Sequence, residues 1–169
     1  MSRDIVLIAH NIRSTHNVGS LLRTADAMAV SKVYFSGYTP YPKQKSDKRL
    51  PYLSEKISGQ IRKTALGAEI SVKTEVISRL YNLITRLKEQ GFEVVALEQT
   101  PSSINLDDYI PASKVALIVG NELDGLTQSI TDSSNKRVQI PMLGEKESLN
   151  VSVAGAIALY FLRNFKLQP

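Results

Sequence analysis

Val138–Phe161, VQIPMLGEKESLNVSVAGAIALYF, is the stretch from which the fold is read. Val138 and Ile140 form a short apolar run closed by Pro141, a strand signal that stops where the backbone loses a donor. A polar loop holding Gly144 follows. Ser148 and Asn150 are both good helix N-caps, because their side-chain oxygens accept the unpaired first N–H groups. From Val151 to Phe161 there is no charge, and apart from Ser152 the segment is apolar nearly all round. Such a helix is expected to be buried on most sides, one of them by a second subunit. A polar loop running into a buried helix reads as a ligand site.

Working back along the chain, strand and helix signals alternate. Ile5–Ala9 is a continuous apolar run, the mark of a strand buried on both faces. The polar loop HNIRSTHN follows, with Asn17 as a natural N-cap, and then Val18, Leu21, Leu22, Ala25 and Ala29 at helical spacing. Val33–Ser36 reads as a second strand and Val72–Glu75 as a third. Ser54–Leu66 has helical character that Gly59 weakens, and Ile77 to Leu87 is amphipathic up to the stop at Gly91. Phe92–Leu97 and Lys114–Val119 are further strands, the latter breaking at Gly120 into a tight loop and a short polar helix. This alternation predicts one α/β domain over residues 1–169, with a mostly parallel sheet and helices on both faces. Ligands of such sheets sit beyond the carboxyl ends of the strands. The loops after Ala9, Leu97, Val119 and Ile140 are therefore the ones to search.

Composition narrows the chemistry. The 169 residues contain no cysteine and two histidines, His10 and His16, which excludes thiol catalysis and leaves little for a metal. No signal peptide or membrane span is visible, so the expectation is a cytoplasmic protein without membrane or metal partners. The net charge is +5. Tyr41 to Lys63 holds seven basic residues (Lys43, Lys45, Lys48, Arg49, Lys56, Arg62, Lys63) and two acidic ones, a local excess equal to that of the whole chain. Tyr34, Phe35, Tyr38, Tyr41 and Tyr52 interleave with it. Cations beside aromatics suit RNA or a single strand. A solvated lysine-rich loop with packing tyrosines accounts equally well for the pattern.

Gly120–Gly125 is not a P-loop, since Leu126, followed by Thr127, stands where the Lys is required. Ser148 lacks a histidine in a recognisable triad motif. Arg23 lies about 1.7 turns beyond Asn17; it reads either as a surface arginine pairing with Asp26 or as a fork aimed at a phosphate.

Three motifs in order resemble the SpoU (TrmH-like) branch of the SPOUT class of RNA 2′-O-ribose methyltransferases. HNIRSTHNVGSLLRTADA carries N-x-G-x-x-x-R at Asn17, Gly19 and Arg23. VALIVGNELDGL carries G-x-E-x-x-G at Gly120, Glu122 and Gly125. IPMLGEKESLNVSVA carries the I-P-M and S-L-N signatures. The KTALGAE segment around Gly67 is also similar, and the resemblance covers almost the whole chain.

The resemblance implies a C-terminal deep trefoil knot, an exception to the unknotted rule, and an obligate homodimer. It implies S-adenosylmethionine bound at Leu97, Gly120, Asn121, Glu122, Gly125, Ile140, Met142, Ser148, Leu149 and Asn150. Arg23 would activate the ribose hydroxyl, either as base or by holding phosphate and hydroxyl, with Asn17, Glu122, Ser148 and Asn150 supporting the site. With no separate RNA-binding domain, Arg13, Lys43, Lys45, Lys48, Arg49, Arg62 and Lys63 are the expected RNA contacts. The substrate is tRNA or rRNA, with tRNA favoured. The competing reading is a catalytically inactive RNA-binding module on the same fold.

Overall fold

The computed structural model describes residues 3–166. Seven strands form one sheet: β1 (Asp4–His10), β2 (Lys32–Ser36), β3 (Thr74–Ile77), β4 (Glu93–Leu97), β5 (Ile104–Asn105), β6 (Lys114–Val119) and β7 (Lys136–Gln139). Their order is β3-β2-β1-β6-β4-β7-β5, and every pairing is parallel. Six α-helices among the described residues accompany them: α1 (Thr15–Ala27), α2 (Pro51–Ala65), α3 (Ala68–Ser71), α4 (Leu80–Glu89), α5 (Gln128–Ser133) and α6 (Val151–Asn164).

The continuous apolar runs are explained by cover on both sides of the sheet. Ile5, Leu7 and Ala9 of β1, with Val115, Leu117 and Val119 of β6, point into one core with α1, α2, α3 and α6. The alternating residues Val6, Ile8, Ala116 and Ile118 point into the other, against α4 and α5. Chain direction across the sheet switches between β1 and β6, so the loops after β1, β4, β6 and β7 gather at one edge. Among the described residues no helix is long and apolar enough to cross a membrane.

Several boundaries differ from the sequence reading. Asn17 is not the cap of α1. Ser14 is: its hydroxyl accepts from the Asn17 N–H at 3.3 Å, and Asn17 lies inside the first turn. α2 begins earlier than Ser54, with Pro51 in its first turn, where a missing N–H costs nothing. Gly59 is accommodated in open space. The third strand is Thr74–Ile77, later than Val72–Glu75, because Val72 ends α3 and is buried with it. Ile77 therefore belongs to β3, and α4 starts at Leu80.

α6 is capped by Asn150, whose Oδ1 accepts from the Ser152 N–H at 2.9 Å. It buries Val151, Gly155, Ala158, Leu159 and Leu162, but Val153, Ile157 and Tyr160 are 47%, 40% and 63% exposed. Within one chain the helix is thus covered on one face only.

Candidate active site

A cavity of about 360 Å³ opens where the loops after β4, β6 and β7 meet the start of α6. Leu97, Gly120, Asn121, Glu122, Gly125, Ile140, Met142, Ser148 and Leu149, all expected to touch the cofactor, line it. Asn150 is absent from the lining. It caps α6 and points its amide to Asn17 instead.

The Gly120–Gly125 loop is folded around the Asn121 side chain. Its Oδ1 accepts from the N–H of Leu123 at 2.7 Å and of Asp124 at 2.9 Å, a local turn that Asn is suited to make. Its Nδ2 donates to the Asn11 carbonyl at 3.1 Å and to the Tyr38 hydroxyl. Gly125 has φ +65°, and an added Cβ there would collide with Glu98 Oε2. A Cβ on Gly120 would come within 2.8 Å of the Gly125 carbonyl carbon. Both glycines are required by this close approach.

Glu122 reaches out of the loop to α1. Oε2 accepts from the Arg13 N–H at 2.9 Å, and Oε1 accepts from the Ser14 N–H at 3.2 Å and from Asn17 Nδ2 at 2.8 Å. A carboxylate only accepts, so Asn17 must present its NH₂ here and keep Oδ1 for Asn150 Nδ2, 3.1 Å away. The three motifs read from the sequence thus meet in one chain of hydrogen bonds: Glu122, Asn17, Asn150. Burial pushes the Glu122 carboxyl up. The donors from Arg13, Asn17, its own backbone and Ser14 outweigh burial and hold it below its ordinary value.

Arg23 is exposed on α1. Among the described residues it forms no ion pair; Asp26, its expected partner, instead accepts from Ser71 Oγ at 2.5 Å. Gly19 lets α2 approach α1, since a Cβ there would meet Thr64 Oγ1 and the Ile61 carbonyl. Ser148 lines the cavity without a histidine partner: His10 Nδ1 is 2.8 Å from Ser36 Oγ, and burial lowers the His10 pKa.

These arrangements coincide with what comparison finds. The model of the SpoU rRNA Methylase family matches residues 4–160. The chain belongs to that family. It is 30% identical over 159 residues to the tRNA (guanosine(18)-2′-O)-methyltransferase of Aquifex aeolicus, with 94% of this chain and 68% of that protein covered. The solved structure of an A. aeolicus TrmH/SpoU tRNA modifying enzyme superposes with a TM-score of 0.75 at 29% identity, over 95% of this chain and 74% of that one. An AdoMet-bound rRNA methyltransferase from Sinorhizobium meliloti shares the fold, with a TM-score of 0.78 at 22% identity over 96% of this chain and 57% of that one.

The basic segment from Tyr41 to Lys63 is less uniform than its sequence suggested. Tyr34 and Phe35 are buried in the sheet and Tyr41 is packed against the core, so for these the packing explanation holds. Tyr38 and Tyr52 are exposed. Arg49 is occupied: Nε and Nη2 hold Asp47 at 2.9 and 2.5 Å, and the guanidinium lies 3.7 Å from the Tyr41 ring centroid. Its side chain and that of Asp47 are only 14% and 6% exposed. Lys43 pairs with Glu55 at 2.6 Å near solvent, and the exposed Arg62 pairs at 3.3 Å with Glu69, whose side chain is only 5% exposed. Arg13, Lys45, Lys48 and Lys63 are exposed.

Sequence reasoning missed Glu98, Asp124 and Glu147 in the cavity wall; Tyr38, read there with the aromatics of the basic surface, stands with Asn11 behind Asn121. The one available signal was position: Glu98 directly follows Leu97 at the carboxyl end of a strand.

Proposed function

We propose that this chain transfers the methyl group of S-adenosylmethionine to a ribose 2′-hydroxyl of RNA, with tRNA the preferred substrate. The observation that carries this reading is the charge of the cavity. Its wall holds Glu98, Glu122, Asp124 and Glu147 and no lysine or arginine. That is the wrong lining for nucleotide phosphates and the right one for a ligand carrying a sulfonium and an ammonium. The name of the A. aeolicus relative supports the 2′-hydroxyl of tRNA as the acceptor.

Bound S-adenosylmethionine supplies an activated methyl group whose departure leaves a neutral thioether, so the protein's tasks are alignment and removal of one proton. Leu97, Gly120, Ile140, Ser148 and Leu149 would hold the cofactor, largely through backbone groups. Glu122, Asn17 and Asn150 fix the start of α1 against the cavity rim. Arg23, six residues or about 9 Å further along that helix, holds the target phosphate and hydroxyl. A guanidinium donates and does not accept, so the hydroxyl proton passes to phosphate or water.

The sheet order supports the knotted topology. β7 lies between β4 and β5, so the 98–103 connection has to pass over the position that β7 enters later in the chain. The apolar stripe Val153, Ile157 and Tyr160, at helical spacing on α6, supports a homodimer. We place the enzyme in the cytoplasm, with RNA gripped by the basic surface of this same domain.

The test incubates the protein and Arg23→Ala with methyl-labelled S-adenosylmethionine and separate pools of unmodified tRNA and rRNA, followed by digestion to nucleosides. The expected result is a labelled 2′-O-methylnucleoside from tRNA, absent with the variant. Neither transfer to either pool nor binding of S-adenosylmethionine would instead support the inactive RNA-binding reading.

A further inference from the structure

Glu98 stands at the carboxyl end of β4 with its side chain in the cavity wall. Oε2 accepts from the Leu126 N–H at 2.6 Å and Oε1 from the Gln99 N–H at 3.0 Å. The carboxylate therefore lies across Gly125 and ties the end of β4 to the Gly120–Gly125 loop. Its two donors are neutral amides, and a carboxylate offers about four acceptor sites. Among the described residues Glu98 has no ion-pair partner, and the cavity wall supplies no lysine or arginine.

The other wall carboxylates are placed differently. Glu122 already receives three donors, and Asp124 and Glu147 are exposed, where water screens them. Glu98 is half-buried and holds two neutral donors only, so its charge is neither screened by water like theirs nor as fully taken up as that of Glu122.

We propose that Glu98 is a specificity-determining residue that favours the charged cofactor over its neutral product. This rests on the assignment of S-adenosylmethionine to the cavity. Methyl transfer converts the sulfonium to a thioether and so removes one positive charge from the bound molecule, while adenosine, ammonium and carboxylate stay. A fixed, half-buried anion in the wall loses a favourable interaction at that moment. The affinity for product falls relative to substrate, and the cavity clears for the next turnover. In surroundings of intermediate dielectric, one such charge pair a few ångströms apart changes an affinity by roughly tenfold.

The experiment titrates S-adenosylmethionine, S-adenosylhomocysteine and sinefungin, which carries an amine in place of the methylated sulfur, into the wild-type protein, Glu98→Gln and Glu98→Ala. Glu98→Gln can still accept the Leu126 N–H through its amide oxygen; it removes the charge together with the exposed bond from the Gln99 N–H, which water can replace. It is expected to weaken S-adenosylmethionine and sinefungin by roughly tenfold and to leave S-adenosylhomocysteine within about twofold. Glu98→Ala removes the brace as well and is expected to weaken all three. An equal loss for all three ligands in Glu98→Gln, or no loss for any, overturns the inference while leaving the cofactor assignment standing. Failure of all three to bind the wild-type protein overturns the cofactor assignment itself.

Discussion

Around the cavity, polar side chains are held by partners from distant parts of the chain, whereas between Tyr41 and Lys63 most cationic heads reach into solvent. Glu122 receives three donors from the loop before α1 and its first turn, and Asn121 joins the loops after β1, β2 and β6. By contrast, Lys43 has a single partner near water, where an ion pair contributes little, and the Arg62 head is itself exposed although its partner Glu69 is buried. The first arrangement fixes geometry before any ligand arrives, which suits a small molecule that must be aligned for reaction. The second leaves long side chains free to adapt, which suits a polyanion met in many local shapes. Among the cations of this segment, Arg49 is held most firmly, by Asp47 and the Tyr41 ring.

Arg23 is the sharpest test of that division, because it is exposed like the lysines yet assigned to the reacting centre. Arg23→Ala and Arg23→Lys are both expected to reduce methyl transfer by roughly a hundredfold or more, with cofactor affinity unchanged in a direct titration. Near-normal transfer by the Lys variant would place Arg23 with the solvated cations.

Gly125→Ala tests the rigid side. The new Cβ meets Glu98 at a positive φ, and S-adenosylmethionine affinity is expected to fall by at least roughly tenfold while RNA retention on a filter is unaffected. Equal losses in both would show that the two regions are not separable.

Asp47→Asn tests the exception. Arg49's hydrogen bonds hold the Asp47 carboxyl well below the usual carboxylate range. A carboxyl depressed in the folded state adds stability above its ordinary value of 3.8, and that stability is lost as pH falls below it. The variant is expected to be less stable in denaturant unfolding by about 1 kcal/mol at pH 7, with the difference from wild type shrinking under acid conditions. A pH-independent difference would assign the loss to packing on Tyr41.

The smallest effect belongs to Lys45 and Lys48. Converting both to Ala is expected to weaken tRNA binding several-fold and to flatten its salt dependence, leaving cofactor affinity untouched. An unchanged salt slope would remove these two lysines from the RNA surface.

The same contrast explains what could be read in the sequence. The cavity loops were legible because Gly120, Gly125, Pro141 and Asn150 act on the backbone locally, and a local constraint is written in a few adjacent letters. Asn17 was misplaced because Ser14 and Asn17 are equally good caps by residue type. What distinguishes them is Glu122, far away in the chain, which claims the Asn17 amide. For Glu98 position was the one signal, and its role stayed hidden for the same reason: it depends on the Leu126 N–H and on the close approach of Gly125. β5 and α3, of two and four residues, are too short to carry a period. Tyr34 and Phe35 looked like part of the basic surface until the sheet buried them.

The hydrogen bonds of Asn17 also set an order of assembly. Its partners lie 105 and 133 residues later in the chain. On the ribosome, the first motif is made early and waits through most of translation for the residues that complete it. Contacts of such separation form late in folding and slowly. A chain whose synthesis stops before Asn150 can build much of the sheet and still lack the final link. Catalytic competence in this fold is therefore reserved for a polypeptide that has been translated through to its last helix.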